Sequence, residues 1–188
     1  AEILRGVDAC RAAGFESIKI NTVLMAGLND AELDDFIAFV ADRDLSLRFI
    51  EVMRTNDNAA FYAQRHLAGR TVTDRLAALG WHATPGAAGA GPAVEFAHEG
   101  AKGRIGLIAP YAKDFCATCN RLRVSATGRL HLCLFGEGGY DIRPFLQSDA
   151  QLPDLLAEIH RVMAFKAPAH LLAQGNSGAT PHLASIGG

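Results

Sequence analysis

The first third of the chain alternates between apolar residues at helical spacing and short runs rich in β-branched residues. The apolar stripes recur at every third or fourth position, as on one face of a helix, and the β-branched runs lie between glycines, as is typical of strands. In order, this pattern predicts a helix at 1–13, a strand at 17–25, a helix with its stripe at 33–40 and a strand at 45–53. Such alternation indicates consecutive β/α units with a parallel sheet or partial barrel.

The pattern changes after residue 53, where a polar loop begins and short strands become more frequent. The predicted elements are a helix at 71–80, a loose Gly/Ala/Pro stretch at 84–93, strands at 94–98, 104–108, 121–126 and 129–134 with a hairpin turn at Gly128, and a helix at 154–166. We therefore predict an α/β fold with two regions, β/α units in residues 1–53 and a small α+β region in residues 54–188.

Composition and charge exclude several classes of function. No apolar run approaches the roughly 20 residues needed to cross a bilayer. The net charge of −2 excludes a general polyanion-binding or nucleic-acid-binding surface, so any phosphate contact must come from a few placed Lys and Arg side chains. The chain has 4 cysteines, three of them close together and without other signs of a disulfide scaffold. This clustering indicates a reducing compartment, and we expect a cytoplasmic protein.

The clustered cysteines, Cys116, Cys119 and Cys133, form a C-x2-C-x13-C pattern. The first two are close enough to bind one metal ion or cluster from a tight turn, and the third lies on the neighbouring strand of the predicted hairpin. The alternative is three buried small apolar residues, which this spacing between glycines disfavours. Cys10 stands alone in the first helix, and we interpret it as a packing residue.

The spacing alone leaves two metal centres open. His131 precedes Cys133 by two residues, which suits a Cys3His zinc site. Residues 131 and 133 of a strand share one face, so His131 serves equally well as a structural or solvated side chain. A 4Fe–4S cluster held by three cysteines would instead keep one iron open for a substrate atom.

Basic side chains provide candidate phosphate contacts. Arg121 and Arg123 alternate along the predicted strand, so both point the same way and suit phosphate oxygens, although exposed surface arginines would give the same pattern. Lys19 interrupts an apolar strand, and from the residues alone its placement at the solvent end of the strand is favoured over the interior.

Four segments together resemble the radical-SAM GTP 3′,8-cyclase family of molybdenum cofactor biosynthesis. They are IKINTVLMAGLND, LRFIEVM, YAKDFCATCNRLRVSATGRLHLCLFGEGG and the terminal SIGG, and they occur in the family's order. The resemblance implies the C-terminal part of an incomplete (β/α) radical-SAM barrel followed by a small α+β cluster-binding region. The implied activity is cyclisation of GTP to (8S)-3′,8-cyclo-7,8-dihydroguanosine 5′-triphosphate.

The resemblance also implies a role for each matching residue. It implies that the three cysteines bind a 4Fe–4S cluster whose open iron binds the guanine of GTP. It implies further contacts with GTP from Lys19, Arg121, Leu122 and Arg123, and a contact with S-adenosylmethionine from Met53. The C-terminal pair Gly187 and Gly188, which alone would be a disordered terminus, is expected to enter the active site. Arg48 and Glu51 are weaker candidates for lining the cavity. No catalytic residue is assigned.

The sequence departs from the family in two places. It has no C-x3-C-x2-C motif for the cluster that cleaves S-adenosylmethionine, so we expect no cyclase activity from this chain by itself. A homodimer or a complementing N-terminal half is the expected protein partner. In addition, many members have a glycine near Asn56, which leaves the shape of that loop open. The rival hypotheses are a non-catalytic module that binds GTP or a cluster, and a structural zinc domain.

Overall fold

The computed structural model describes residues 2–86, 91–117 and 119–186. Gly187 and Gly188, expected above to enter the active site, lie outside the described residues, as does part of the predicted loose stretch at 84–93. The α-helices are α1 (Glu2–Ala12), α2 (Leu33–Ala41), α3 (Ala59–Arg65), α4 (Arg70–Ala78) and α5 (Leu152–Met163). The strands are β1 (Lys19–Leu24), β2 (Ser46–Glu51), β3 (His82–Thr84), β4 (Val94–Ala97), β5 (Arg104–Ile108), β6 (Arg123–Val124), β7 (Arg129–His131) and β8 (Tyr140–Asp141).

The chain divides into two compact units. The first consists of residues 1–52 and 64–109, and the second of residues 53–63 and 110–188. The division after residue 53 that the sequence suggests stays a prediction about domains. The boundaries of the compact units differ from this division, because residues 64–109 belong to the first unit and add β3, β4 and β5 to its sheet.

The first unit is built on a mixed sheet with the strand order β1-β2-β5-β4-β3. Strands β1, β2 and β5 are parallel, and β4 and β3 continue the sheet in antiparallel pairing. Helix α2 connects β1 to the adjacent parallel β2, as in a β/α unit. The mixed α/β class and the parallel pairing of the first two strands are therefore confirmed.

The core of this unit follows from the alternation of residues in β2. Leu47, Phe49 and Glu51 are buried, whereas the residues between them are partly exposed, as the two-residue period of a strand requires. Phe49 is fully buried and meets Phe36 of α2 edge to face, with ring centroids 5.8 Å apart. Burial of this stripe between sheet and helix stabilises the unit through the hydrophobic effect.

Several elements differ from the predictions. Helix α3 and the short strands β3 and β8 were not predicted, because segments of two to seven residues carry too little periodic signal. The predicted strands at 121–126 and 129–134 are real but shorter, so Arg121 precedes β6 and Cys133 follows β7. In the described residues, no helix combines the length and apolar character needed to span a bilayer.

The second unit contains an antiparallel sheet, β6-β7-β8, that packs against α5. Gly128 has φ +72° in the turn between β6 and β7, a conformation that suits glycine, and the predicted hairpin is confirmed. Leu130 and Ile142 form a small core with Val162 of α5. At the end of β8, the Asp141 carboxylate accepts hydrogen bonds from the backbone N–H, Nε and Nη2 of Arg143.

The close contact at Gly103 gives a test of the first unit. A methyl group at this position would lie 2.6 Å from the carbonyl oxygen of Leu45 and 2.7 Å from Val40. Gly103→Ala is therefore expected to lower the free energy of unfolding by about 1–3 kcal/mol, because the backbone around the new methyl group must move. Gly6→Ala in α1 is the control, since no atom outside its chain neighbours and its own helix backbone lies within 4 Å of the added methyl group. Equal urea midpoints for the two variants would contradict this packing.

The Asp141–Arg143 contact predicts an acid-sensitive contribution to stability. Hydrogen bonds from Arg143 lower the pKa of Asp141 to about 2, so the carboxylate is favoured in the folded state. A lowered pKa adds stability above the ordinary value of the group, and that stability is lost as the pH falls towards about 2. Asp141→Asn should therefore flatten the decline of urea midpoint between about pH 5 and pH 2. Asp8→Asn, at an exposed position in α1, is the control, and wild-type acid dependence in Asp141→Asn would refute the assignment.

Candidate functional site

The turn that carries Cys116 and Cys119 is compact. The backbone N–H of Cys119 donates to the carbonyl of Cys116 over 3.1 Å, and Ala117 donates to Asp114 over the same distance. Both thiols are free and half-buried. Two thiols presented from consecutive tight turns agree with the arrangement that the C-x2-C spacing predicts.

Cys133 follows the second strand of the hairpin. It follows β7 by two residues, so the expectation that it lies in the strand and shares a face with His131 is wrong. Instead, its backbone begins a turn in which the N–H of Phe135 donates to the Cys133 Sγ over 3.4 Å. Amide donors to sulfur are among the contacts by which proteins tune thiolate-bound clusters.

Arg123 connects the two cysteine segments electrostatically. Burial lowers the pKa of its guanidinium, Arg121 lowers it further, and Cys119 and Cys133 act in the opposite direction. The structure thus brings both arginines and both thiols within electrostatic range. The two arginines do not alternate along one strand as expected, because β6 begins only at Arg123. Leu122 between them is exposed.

His131 lies opposite Arg123 in the β6–β7 pairing. Burial lowers the pKa of the His131 imidazole, and the neighbouring Arg129 and Arg123 lower it further. Its ring packs so closely on Gly139 that a Cβ there would come within 2.8 Å of Nε2. In the described residues, no three His, Cys, Asp or Glu side chains are grouped so as to hold one metal ion.

The donor set fits a thiolate-bound group by its chemistry. Three free, half-buried thiols belong to this unit, and a guanidinium lies within electrostatic range of two of them. The thiolate is the form of cysteine that binds metals. Cys116, Cys119 and Cys133 stay the predicted ligands of such a group.

Sequence reasoning missed Lys166, which lies just beyond α5. Its ammonium donates hydrogen bonds to the carbonyl of Arg121, over 3.1 Å, and to the carbonyl of Leu132. Leu132 directly precedes Cys133, and Arg121 follows Cys119 by two residues. No signal in the sequence identifies a lysine at the end of an amphipathic helix as a contact of the cysteine segments.

A cavity of about 520 Å³ opens beside Cys133 and is partly lined by Arg129, Tyr140 and His170. His170 Nδ1 accepts from the N–H of Leu172 over 3.4 Å, and its buried Nε2 has no partner among the described residues. Burial lowers the pKa of this histidine. The His170 ring therefore has a polar atom enclosed near the cysteine segment.

The C-terminal segment is tied to the loop that contains Asn56. The Asn56 amide donates to the carbonyl of Gly178 over 3.1 Å and accepts from the Ser177 hydroxyl over 2.9 Å. The Thr180 hydroxyl donates to the carbonyl of Leu134 over 2.7 Å, next to Cys133. The Asn56 side chain in this loop thus holds residues 177–180.

Three of the predicted residues belong to the first unit. Lys19 is the exposed first residue of β1. Arg48 is half-buried and pairs with Glu95 over 2.8 Å, and Glu51 is buried and hydrogen-bonded to His66 Nε2 over 2.7 Å. Met53 belongs to the second unit, is half-buried, and accepts a bond from Asn58 through its carbonyl.

The chain is similar to a described sequence family and to curated proteins. The sequence model described as Molybdenum Cofactor Synthesis C matches residues 45–172. A GTP 3′,8-cyclase of Stenotrophomonas maltophilia (strain R551-3) is 52% identical over 187 residues, which cover 100% of this chain and 57% of the relative. GTP 3′,8-cyclases of Aeromonas hydrophila and Vibrio vulnificus (strain YJ016) are each 48% identical over the full chain, which covers 55% and 56% of their lengths.

The chain thus spans little more than half the length of these curated relatives. The family match, by contrast, extends over more than half of the chain and includes all three clustered cysteines. The chain therefore belongs to the Molybdenum Cofactor Synthesis C family.

Proposed function

We propose that this chain supplies the substrate-binding half of a GTP 3′,8-cyclase, with a 4Fe–4S cluster held by Cys116, Cys119 and Cys133. The observation that carries the proposal is the β6–β7 hairpin, which pairs the half-buried Arg123 with His131, two residues before Cys133. Cys119 lies four residues before Arg123, and Arg121 and both of these cysteines act on the Arg123 guanidinium. A site that combines thiolates with paired guanidiniums suits a cluster next to a polyphosphate. The names of the relatives favour GTP as that polyphosphate.

The arginine pair explains why an anion is favoured. Arg121 and Arg123 repel each other, and Arg123 has also lost part of its hydration. Phosphate oxygens would relieve both costs, and a guanidinium fork binds them in a defined direction. Cys119 and Cys133 act on the Arg123 guanidinium in the direction opposite to Arg121, so the site is not a general polyanion surface. In this proposal Arg121 and Arg123 bind and orient the triphosphate.

When bound, the cluster supplies an iron without a protein ligand, which is a Lewis-acid position for the guanine base. The remaining assignments rest on the resemblance. Lys19 and Leu122 are proposed as further GTP contacts, Met53 as a contact of S-adenosylmethionine, and Gly187 and Gly188 as residues that enter the active site. Arg48 and Glu51 stay weaker candidates, because each already has a charged or ionisable partner in the first unit.

The complete reaction requires more than this sequence contains. The C-terminal part of a radical-SAM barrel is the proposed context of the first unit, whose β1 is an edge strand. Because the sequence has no C-x3-C-x2-C motif, we propose that cleavage of S-adenosylmethionine depends on a complementing N-terminal half, with a homodimer as the further assembly to test. An oxygen-sensitive cluster requires a reducing setting, and the cytoplasm remains the proposed location.

Loss of one cysteine tests the ligand assignment. Cys133→Ala should hold substantially less iron and sulfide after anaerobic reconstitution, because it removes one of three thiolates. Cys10→Ala, a change of the same kind in α1, should retain the wild-type content. The measurement is iron and sulfide per chain, together with the visible absorption of the cluster. Equal iron in both variants would reject Cys133 as a ligand.

Removal of the Arg123 charge tests the phosphate role. Arg123→Gln should keep its iron but bind GTP about tenfold to a hundredfold more weakly, because charge-assisted hydrogen bonds contribute about 1.5–3 kcal/mol each. The exposed Arg161 provides the control Arg161→Gln, which changes the net charge equally. GTP titrations followed by calorimetry and by the spectrum of the reduced cluster measure both variants. Wild-type GTP affinity in Arg123→Gln would contradict the assignment.

A further inference from the structure

One short segment outside the cysteine motif contacts residues that lie next to, or two positions from, the three candidate cluster ligands. This segment, residues 166–170, follows α5 and is called the brace here. Its first residue, Lys166, bonds to the carbonyls of Arg121 and Leu132. Its last residue, His170, packs on the rings of Phe115 and Phe135. The brace therefore contacts both arms of the C-x2-C-x13-C pattern.

The Lys166 contacts join two strands at the open end of the hairpin. Arg121 lies just before β6 and Leu132 just after β7, beyond the ladder that pairs Arg123 with His131. Backbone carbonyls beyond a ladder would otherwise need water or another donor. A single ammonium satisfies both and fixes the separation between the segments that lead to Cys119 and Cys133.

The His170 ring contacts the residue before Cys116 and a residue after Cys133, whereas Lys166 contacts residues after Cys119 and before Cys133. The ring centroid of His170 lies 5.9 Å from that of Phe115, which precedes Cys116, and 5.3 Å from that of Phe135. Phe135 in turn donates its N–H to the Cys133 sulfur. Aromatic packing at these distances orients the backbone on either side of the thiols.

The brace is itself fixed to the hairpin through α5. Val162 is fully buried against the hairpin core, which includes Leu130. Phe165, adjacent to Lys166, stacks on Tyr140 of β8 with ring centroids 6.3 Å apart. The ammonium of Lys166 is therefore held near its two acceptors by packing on the same sheet, which reduces the entropy cost of the contact.

We infer that Lys166 is a positioning residue, which holds the Cys119 and Cys133 segments at the spacing needed to keep a bound cluster. It does so through two carbonyls, and among the described residues it donates no hydrogen bond to either thiol. Its effect on cluster retention rests on the proposed function, whereas its effect on the hairpin does not. The inference concerns retention and spectrum of the cluster and assigns Lys166 no part in the chemistry of GTP.

The test compares four forms of the full 188-residue chain. Lys166→Met removes the donor with little change of length, and Lys166→Arg restores a cation with several donors. Lys113→Met is the matched control, because Lys113 is exposed, belongs to the same unit and precedes Cys116 by three residues. If Lys166→Met does not fold, Lys166→Gln takes its place in the same comparison.

The first readout is amide hydrogen exchange of the metal-free chains over residues 119–134. Exchange in Lys166→Met should be at least about fivefold faster than in wild type, from the loss of the bridging hydrogen bonds. Lys166→Arg should restore most of the protection, and Lys113→Met should match wild type. Unchanged exchange in Lys166→Met, or equal acceleration in Lys113→Met, would overturn the inference.

The second readout uses anaerobically reconstituted protein. Lys166→Met should lose iron to a chelator several-fold faster and show a broadened spectrum of the reduced cluster, with recovery in Lys166→Arg. Iron loss at the wild-type rate despite faster exchange would also overturn the inference. If the wild-type chain takes up zinc and no iron while exchange in Lys166→Met is faster, the proposed function fails but the bridging role of Lys166 stands.

Discussion

The antiparallel pairing of Arg123 with His131 is the contact on which the geometry around the cysteines depends. Cys119 and Cys133 are distant in sequence, and only a hairpin that closes at Gly128 returns the chain so that both thiols lie near Arg123. Two paired residues per strand are too few to fix a hairpin in water. Support comes from β8, from the core with α5 and from Lys166, whose ammonium joins the chain beyond the paired residues.

The charges around this hairpin are interdependent. Arg121 and Arg123 repel each other, and burial adds to the cost of the Arg123 charge, while the thiols of Cys119 and Cys133 offset it. An arrangement of this kind is stabilised when the thiols become thiolate ligands and when an anion meets the arginines. In the proposed function, the same contacts would serve a metal-bound sulfur group and a phosphate together.

Sequence patterns were informative where periodicity is long or spacing is rare. The run at 45–53 predicted β2, and the cysteine spacing predicted the segment that carries the candidate site. Short elements such as α3 and β8 were not predicted, because their structure depends on packing against neighbouring elements more than on their own residues. The sequence predicts Arg121 inside a strand that in the structure begins only at Arg123. The sequence gives no signal for Lys166, because its contacts are with two backbone carbonyls distant in sequence.

The most direct test of the central claim is to count metals in the wild-type chain after anaerobic reconstitution and to record the spectrum of the reduced centre with and without GTP. The account predicts about four irons with matching sulfide per chain, as a 4Fe–4S cluster requires, and a spectral change on addition of GTP. Zinc in place of iron, or an iron spectrum indifferent to GTP, would contradict the assignment of this chain to the substrate half of the cyclase.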